Sequence, residues 1–129
     1  MIDLNDKTVL ITGAGRGIGA ATVRQVVACG GEVVIHYSTS SGAAEALADE
    51  VGRPHVHTVQ ADLLDVQQTE RLWDDALAWR GRIDVLVNNA GVYEKCPLDL
   101  PLEDWLAGWE RTMRINLGSA AQLCRRAVP

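Results

Sequence analysis

Eight residues, Thr12-Gly13-Ala14-Gly15-Arg16-Gly17-Ile18-Gly19, carry a glycine at every second position. Glycines let a backbone turn tightly and approach a pyrophosphate closely, and a helix that starts there offers free N–H donors and the positive end of its dipole. Gly13, Arg16, Gly17, Ile18 and Gly19 are therefore candidates for phosphate binding. A glycine-rich connection without a ligand is the plainer alternative. Other residues carry less. His55 and His57 share one face of a strand, but no Cys, Asp or Glu supplies a third ligand, so ordinary strand histidines are expected and no metal. Cys96 and Cys124 have no paired base and read as inert thiols. Tyr93-Glu94-Lys95 reads as a solvated loop.

These residues need elements to hold them. Lys7 to Thr12 is a short β-branched run that ends in the glycines, so a buried strand is expected there. Ile18, Thr22, Gln25, Val26 and Cys29 follow helical spacing, and Gly30-Gly31 stops the helix. Strands are expected over 32–37, 55–61 and 83–88. Between them come a helix capped by Ser41 and closed by Gly52, and one capped by Asp65 and stopped by Gly81. Gly91 to Pro101 reads as a loop. Leu102 to Val128 reads as helical, a short and a longer helix meeting near Gly108. Strands alternating with helices imply crossover connections and a parallel sheet covered on both faces. In a chain with no Phe, the four tryptophans (Trp73, Trp79, Trp105, Trp109) are expected to fill the core.

The 129 residues allow one domain with a real core. A net charge of −5 argues against a nucleic-acid partner or an anionic-membrane surface, which need basic faces. No apolar run approaches the ~20 residues of a membrane span. Three scattered cysteines and no signal-like start suggest a cytoplasmic protein with reduced thiols.

Taken together, the marks resemble the short-chain dehydrogenase/reductase family. TGAGRGIG is similar to its TGxxxGxG turn, and Asn88-Asn89-Ala90-Gly91 to its NNAG at the end of the fourth strand. Asp62-Leu63 matches its adenine-contacting aspartate, and Asn116 its catalytic-site asparagine. The resemblance runs from the first strand to Pro129. It implies a Rossmann-type doubly wound sheet of order 3-2-1-4. It implies that Asp62 accepts from the adenine amino group, with Leu63 lending its backbone, and that Asn89, Ala90 and Gly91 lie along the ribose. Asn88 would tie the loop to neighbouring strands, and Tyr93, in the loop that borders the substrate in that family, would line the pocket as the alternative to a solvated position. Asn116 would kink its helix and order a water in a proton relay. A homo-oligomer paired through the last helix is also implied.

Cofactor choice follows from charge. An acidic residue ending the second strand would bind the ribose hydroxyls and repel a 2′-phosphate. Here the strand ends Ile35-His36-Tyr37-Ser38-Thr39, with no carboxylate. Arg16 can reach a 2′-phosphate, and Tyr37, Ser38, Thr39 and Ser40 can line its site, so NADP is expected over NAD. A solvated surface role for Arg16 is the alternative.

The family's chemistry needs a serine that orients the substrate carbonyl and a Tyr-x-x-x-Lys pair, because a phenol near pKa 10 is a poor base until a cation stabilises the phenolate. Tyr37 is followed at the fourth position by Ser41 and Tyr93 by Pro97, and the only lysines are Lys7 and Lys95. The resemblance therefore implies the N-terminal part of an enzyme acting on a small alcohol or carbonyl. This chain is expected to be inactive alone, to present its fourth strand as an open edge and to associate. A non-enzymatic dinucleotide-binding module, or a half-domain that assembles with a separate chain, are the other readings.

Overall fold

The parallel sheet has the order β3-β2-β1-β4 in a computed structural model that describes residues 2–129. Its strands are β1 (Thr8–Ile11), β2 (Glu32–Tyr37), β3 (Val56–Gln60) and β4 (Val85–Val87). The register is Leu10 opposite Val34 and Leu86, and Ile35 opposite Thr58. Each strand is followed by a helix: α1 (Gly17–Ala28), α2 (Ser41–Val51), α3 (Val66–Arg80) and, after a loop, α4 (Leu102–Met113). A π turn, Arg114–Gly118, joins α4 to α5 (Ser119–Ala127).

Strand alternation divides the core into two layers. Val9, Ile11, Val33 and Ile35 pack under α1 and α2 with Val23, Ala44 and Leu47. Leu10 and Val34 pack on the other face with Leu72, Trp73 and Ala76 of α3 and Leu123 of α5. Each fully buried Leu or Ile contributes about 2 kcal/mol relative to exposure. Helices on both faces explain why the strands read as continuous apolar runs. Polar clasps close the layers. Thr8 donates its N–H to Asp84 Oδ2 at 2.8 Å, and Asp84 returns its own N–H to the Thr8 carbonyl at 2.8 Å, aligning β1 with β4. Arg126 of α5 reaches Glu70 and Asp74 of α3, both at 2.6 Å, and holds the last helix against α3.

Asp65 caps α3 as its sequence position predicts, its Oδ1 accepting from the N–H groups of Gln67 at 2.8 Å and Gln68 at 3.0 Å. Gly81 ends that helix with φ +73°. Ser41 is not a cap but the first residue of α2, and Ser40 before it makes no capping bond. His55 lies in a 3-10 turn (Arg53–His55), outside β3, so the two histidines do not share a strand. His57 stacks on Trp79 with ring centroids 5.6 Å apart.

The predicted break near Gly108 does not occur. Gly108 is buried inside α4, and a Cβ there would meet Cys96 Sγ of the preceding loop at 2.5 Å. The irregularity comes later, at the π turn that contains Asn116. Of the four tryptophans only Trp73 is core, whereas Trp109 is 48 % exposed. It shares the outer face of α4 and the π turn with Leu106, Met113 and Leu117, all exposed. β4 is the outermost strand on its side of the sheet. Among the described residues no helix is long and apolar enough to cross a membrane.

Candidate functional site

A cleft of about 320 Å³ opens where β1, β2 and β3 end. In an open α/β sheet this is where ligands bind. One wall is the glycine turn, with Gly13, Gly15 and Arg16. A second is the end of β2, with His36, Tyr37, Ser38, Thr39 and Ser40. Asp62 and Leu63 come from the end of β3, and Asn89, Ala90 and Gly91 from the end of β4. The sheet thus brings together eleven of the residues singled out in the sequence, Thr39 and Ser40 among them. Gly17, Ile18 and Gly19 lie on the first turn of α1 and Asn116 on the π turn, outside the cleft wall.

The glycine turn is shaped by two close approaches. Gly13 has φ +59°, and a Cβ on it would lie 2.9 Å from Ala90 Cα. A Cβ on Gly19 would collide with the Gly13 carbonyl and lie 2.7 Å from Asn89 Nδ2. Gly17 has φ +59° with open space beside it, so its need is conformational. α1 starts at Arg16 with no side-chain cap and no acidic residue in its first turn. Its first N–H groups therefore face the turn without a built-in anion.

Thr12, buried at the end of β1, ties this turn to the Asn-Asn-Ala-Gly segment. Its Oγ1 accepts the N–H groups of Asn89 and Ala90, each at 3.0 Å. Asn89 Nδ2 returns to the carbonyls of Thr12 and Gly13, both at 3.0 Å. The tying role expected of Asn88 thus falls to the side chain of Asn89, while Asn88 Nδ2 donates to Cys124 Sγ at 3.3 Å. Asp62 Oδ1 accepts from Leu64 N–H at 2.9 Å, and the Asp62 N–H donates to Gln68 Oε1 at 2.9 Å. Its Oδ2 has no protein partner among these bonds, and Asp62 lines the cleft. Among the lining residues Asp62 carries the only carboxylate, and Arg16, exposed and without an ion pair among the described residues, the only guanidinium.

Behind the cleft, Asn116 holds the loop after β4. Its Nδ2 donates to the Val92 carbonyl at 2.8 Å, and its Oδ1 accepts the Val92 N–H at 2.7 Å. Farther along, Glu94 pairs with Arg111 of α4, which lowers the Glu94 pKa and raises that of Arg111. Tyr93, between the two anchors, is 86 % exposed. Thr12, His36, Val92 and Ile115 escaped the sequence reading. His36 alone left a signal: one imidazole on the inward face of an apolar strand must find two polar partners.

The sequence profile of the short chain dehydrogenase family matches residues 7–129. A short-chain dehydrogenase/reductase of Pestalotiopsis microspora is 42% identical over 126 residues, covering 96% of this chain and 46% of its own. A short chain dehydrogenase from Burkholderia cenocepacia J2315, solved in complex with NADP, superposes with a TM-score of 0.86 at 31% identity, covering 96% of this chain and 50% of that one. A 3-ketoacyl-(acyl-carrier-protein) reductase from Brucella melitensis, complexed with NADH, superposes at 0.85 with 30% identity, covering 98% and 50%. The chain spans about half the length of the relatives it matches.

Proposed function

The chain belongs to the short-chain dehydrogenase family, and on that premise we propose that its cleft binds a nicotinamide dinucleotide, NADP in preference to NAD. The observation that carries this reading is the knot of Thr12, Gly13 and Asn89. It holds an uncapped helix start against a turn with no room for a Cβ at Gly13 or Gly19. Such a cradle fits a pyrophosphate. Gly13, Gly17 and Gly19 shape it, with Ile18 at the helix start. Asp62 and the Leu63 backbone would take the adenine, and Asn89, Ala90 and Gly91 would lie along the ribose.

Relatives hold either cofactor, so the choice rests on this chain's own residues. The β2 side of the cleft offers Tyr37, Ser38, Thr39 and Ser40 and no carboxylate, with Arg16 on the turn. A 2′-phosphate would find a cation and hydroxyl donors there and no repelling charge.

When bound, the nicotinamide supplies or accepts a hydride. The reaction proposed for the whole protein is the interconversion of an alcohol and a carbonyl. Within these 129 residues no tyrosine has a lysine four positions later, so this chain holds no base of that kind. Asn116 is a positioning residue: it anchors Val92, and its Oδ1 keeps a lone pair and its Nδ2 a hydrogen for a water. Binding without turnover is the expected behaviour. NADPH fluorescence should saturate on titration with the purified chain, while NADPH consumption with ketone and aldehyde substrates stays at background. Failure to saturate overturns the binding reading, and turnover overturns the inactivity.

A further inference from the structure

His36 is 1 % exposed at the end of β2, in a position that dinucleotide chemistry does not require. Both ring nitrogens are engaged. The Gly13 N–H donates to Nδ1 at 3.0 Å, and Nε2 lies 2.9 Å from the Ala61 carbonyl. A backbone N–H can only donate, so Nδ1 carries no proton and the neutral ring holds its hydrogen on Nε2, donating to Ala61. One imidazole therefore spans from the glycine turn to the residue before Asp62. Ala61 is buried, and the Gly13 N–H has no other protein partner among the described residues.

We propose that His36 is a positioning residue of the nucleotide site, which as a neutral ring fixes the glycine turn relative to the end of β3 and on protonation releases it. The inference rests on the dinucleotide reading above. A second proton on the ring would set Nδ1–H against the Gly13 N–H, and that contact must open. Gly13 would then lose its hold on the N–H side while Asn89 Nδ2 still grips its carbonyl, so the turn tilts without unfolding.

The surroundings favour the neutral ring. Arg16 on the turn, Asp62 after β3 and Tyr37 beside it on β2 are the ionisable groups that line the same cleft. On the ring's side of the sheet α3 and α5 present apolar Leu72, Trp73 and Leu123. Burial pushes the His36 pKa below its ordinary value, and the bond to Ala61 opposes this in part.

The test compares wild type, His36→Phe and His36→Asn, titrating each with NADP+ by calorimetry from pH 5 to 8. Nitrogen-15 NMR of the imidazole and of the Gly13 amide is recorded on the same samples. The cofactor's 2′-phosphate titrates in all three and cancels between them. At pH 7.5 His36→Phe should bind about tenfold more weakly, with the Gly13 N–H left unpaired. His36→Asn, whose Oδ1 replaces Nδ1 as acceptor, should stay within about threefold of wild type. Only wild type should lose further affinity as the ring protonates, and its Gly13 amide shift should follow the imidazole titration. Equal binding by His36→Phe, the same acid loss in all three proteins, or a Gly13 amide indifferent to the ring would overturn the proposal. If wild type binds no NADP+ at any pH, the dinucleotide reading fails. The NMR coupling then still decides whether His36 governs the turn, even for a His36→Phe that does not fold.

Discussion

Asn116 and Val92 exchange two hydrogen bonds, 2.8 and 2.7 Å long, that run in opposite directions between the π turn and the loop after β4. A side-chain amide that mimics a strand neighbour in this way fixes both ends of the loop's first residues. Asn116→Leu removes both bonds and should cost about 1–2 kcal/mol. Hydrogen exchange at the Val92 amide should accelerate, while amides of β2 keep their protection. Unchanged exchange at Val92 would mean that the loop is held by Glu94 and Arg111 alone.

Thr12 accepts two backbone N–H groups in a buried place. Thr12→Val keeps the shape and strands both donors, so urea unfolding should show about 2 kcal/mol lost. Thr12→Ser keeps the oxygen and should lose less. Equal losses would show that the methyl matters as much as the hydroxyl and would contradict this.

The glycines should divide by position. Gly19→Ala has no room beside Gly13 and should destabilise by about 1–3 kcal/mol and abolish nucleotide binding. Gly42→Ala, in the first turn of α2 with open space around it, should stabilise by about 0.5–1 kcal/mol. Thermal melts of the two variants should move in opposite directions.

Two acid-side losses of stability should appear in separate windows. The folded-state pKa of His36 lies below that of the unfolded chain, so the unfolded state takes up the proton first. Stability should begin to fall as pH drops below about 6.5, the ordinary histidine value. Asp65 is also lowered, chiefly by the Gln68 N–H, and its capping contribution should hold above about pH 4 and fade as pH drops through its lowered value. Urea midpoints against pH should lose the first step in His36→Asn and the second in Asp65→Asn.

The exposed stripe of Leu106, Trp109, Met113 and Leu117, together with the outer edge of β4, should drive self-association. Sedimentation should show mass rising with concentration, and less so for Leu106→Glu/Met113→Glu. A monomer at all concentrations would contradict this.

Much of this was legible because strand and helix periods are local. Val33, Val34 and Ile35 read as a fully buried strand, and Asp65 and Gly81 marked the limits of α3. The glycine turn was legible because its spacing is itself the geometry. What escaped depends on distant partners. Gly108 looked like a helix break because the Cys96 contact that fills its notch comes from another segment. Trp109 looked like core because hydrophobicity alone does not tell which face of a helix is covered. That Asn89 rather than Asn88 ties the turn depends on a one-residue difference in direction at a strand end. His36 announced a need for partners without naming Gly13 and Ala61.

Binding of NADP in the cleft through the glycine turn and Arg16 is tested most directly by calorimetric titration of wild type and Arg16→Ala with NADP+ and NAD+. Wild type should bind NADP+ at least tenfold more tightly than NAD+, and Arg16→Ala should lose most of that ratio while its NAD+ affinity stays put. No binding of either nucleotide, or a ratio that Arg16→Ala leaves unchanged, would contradict it.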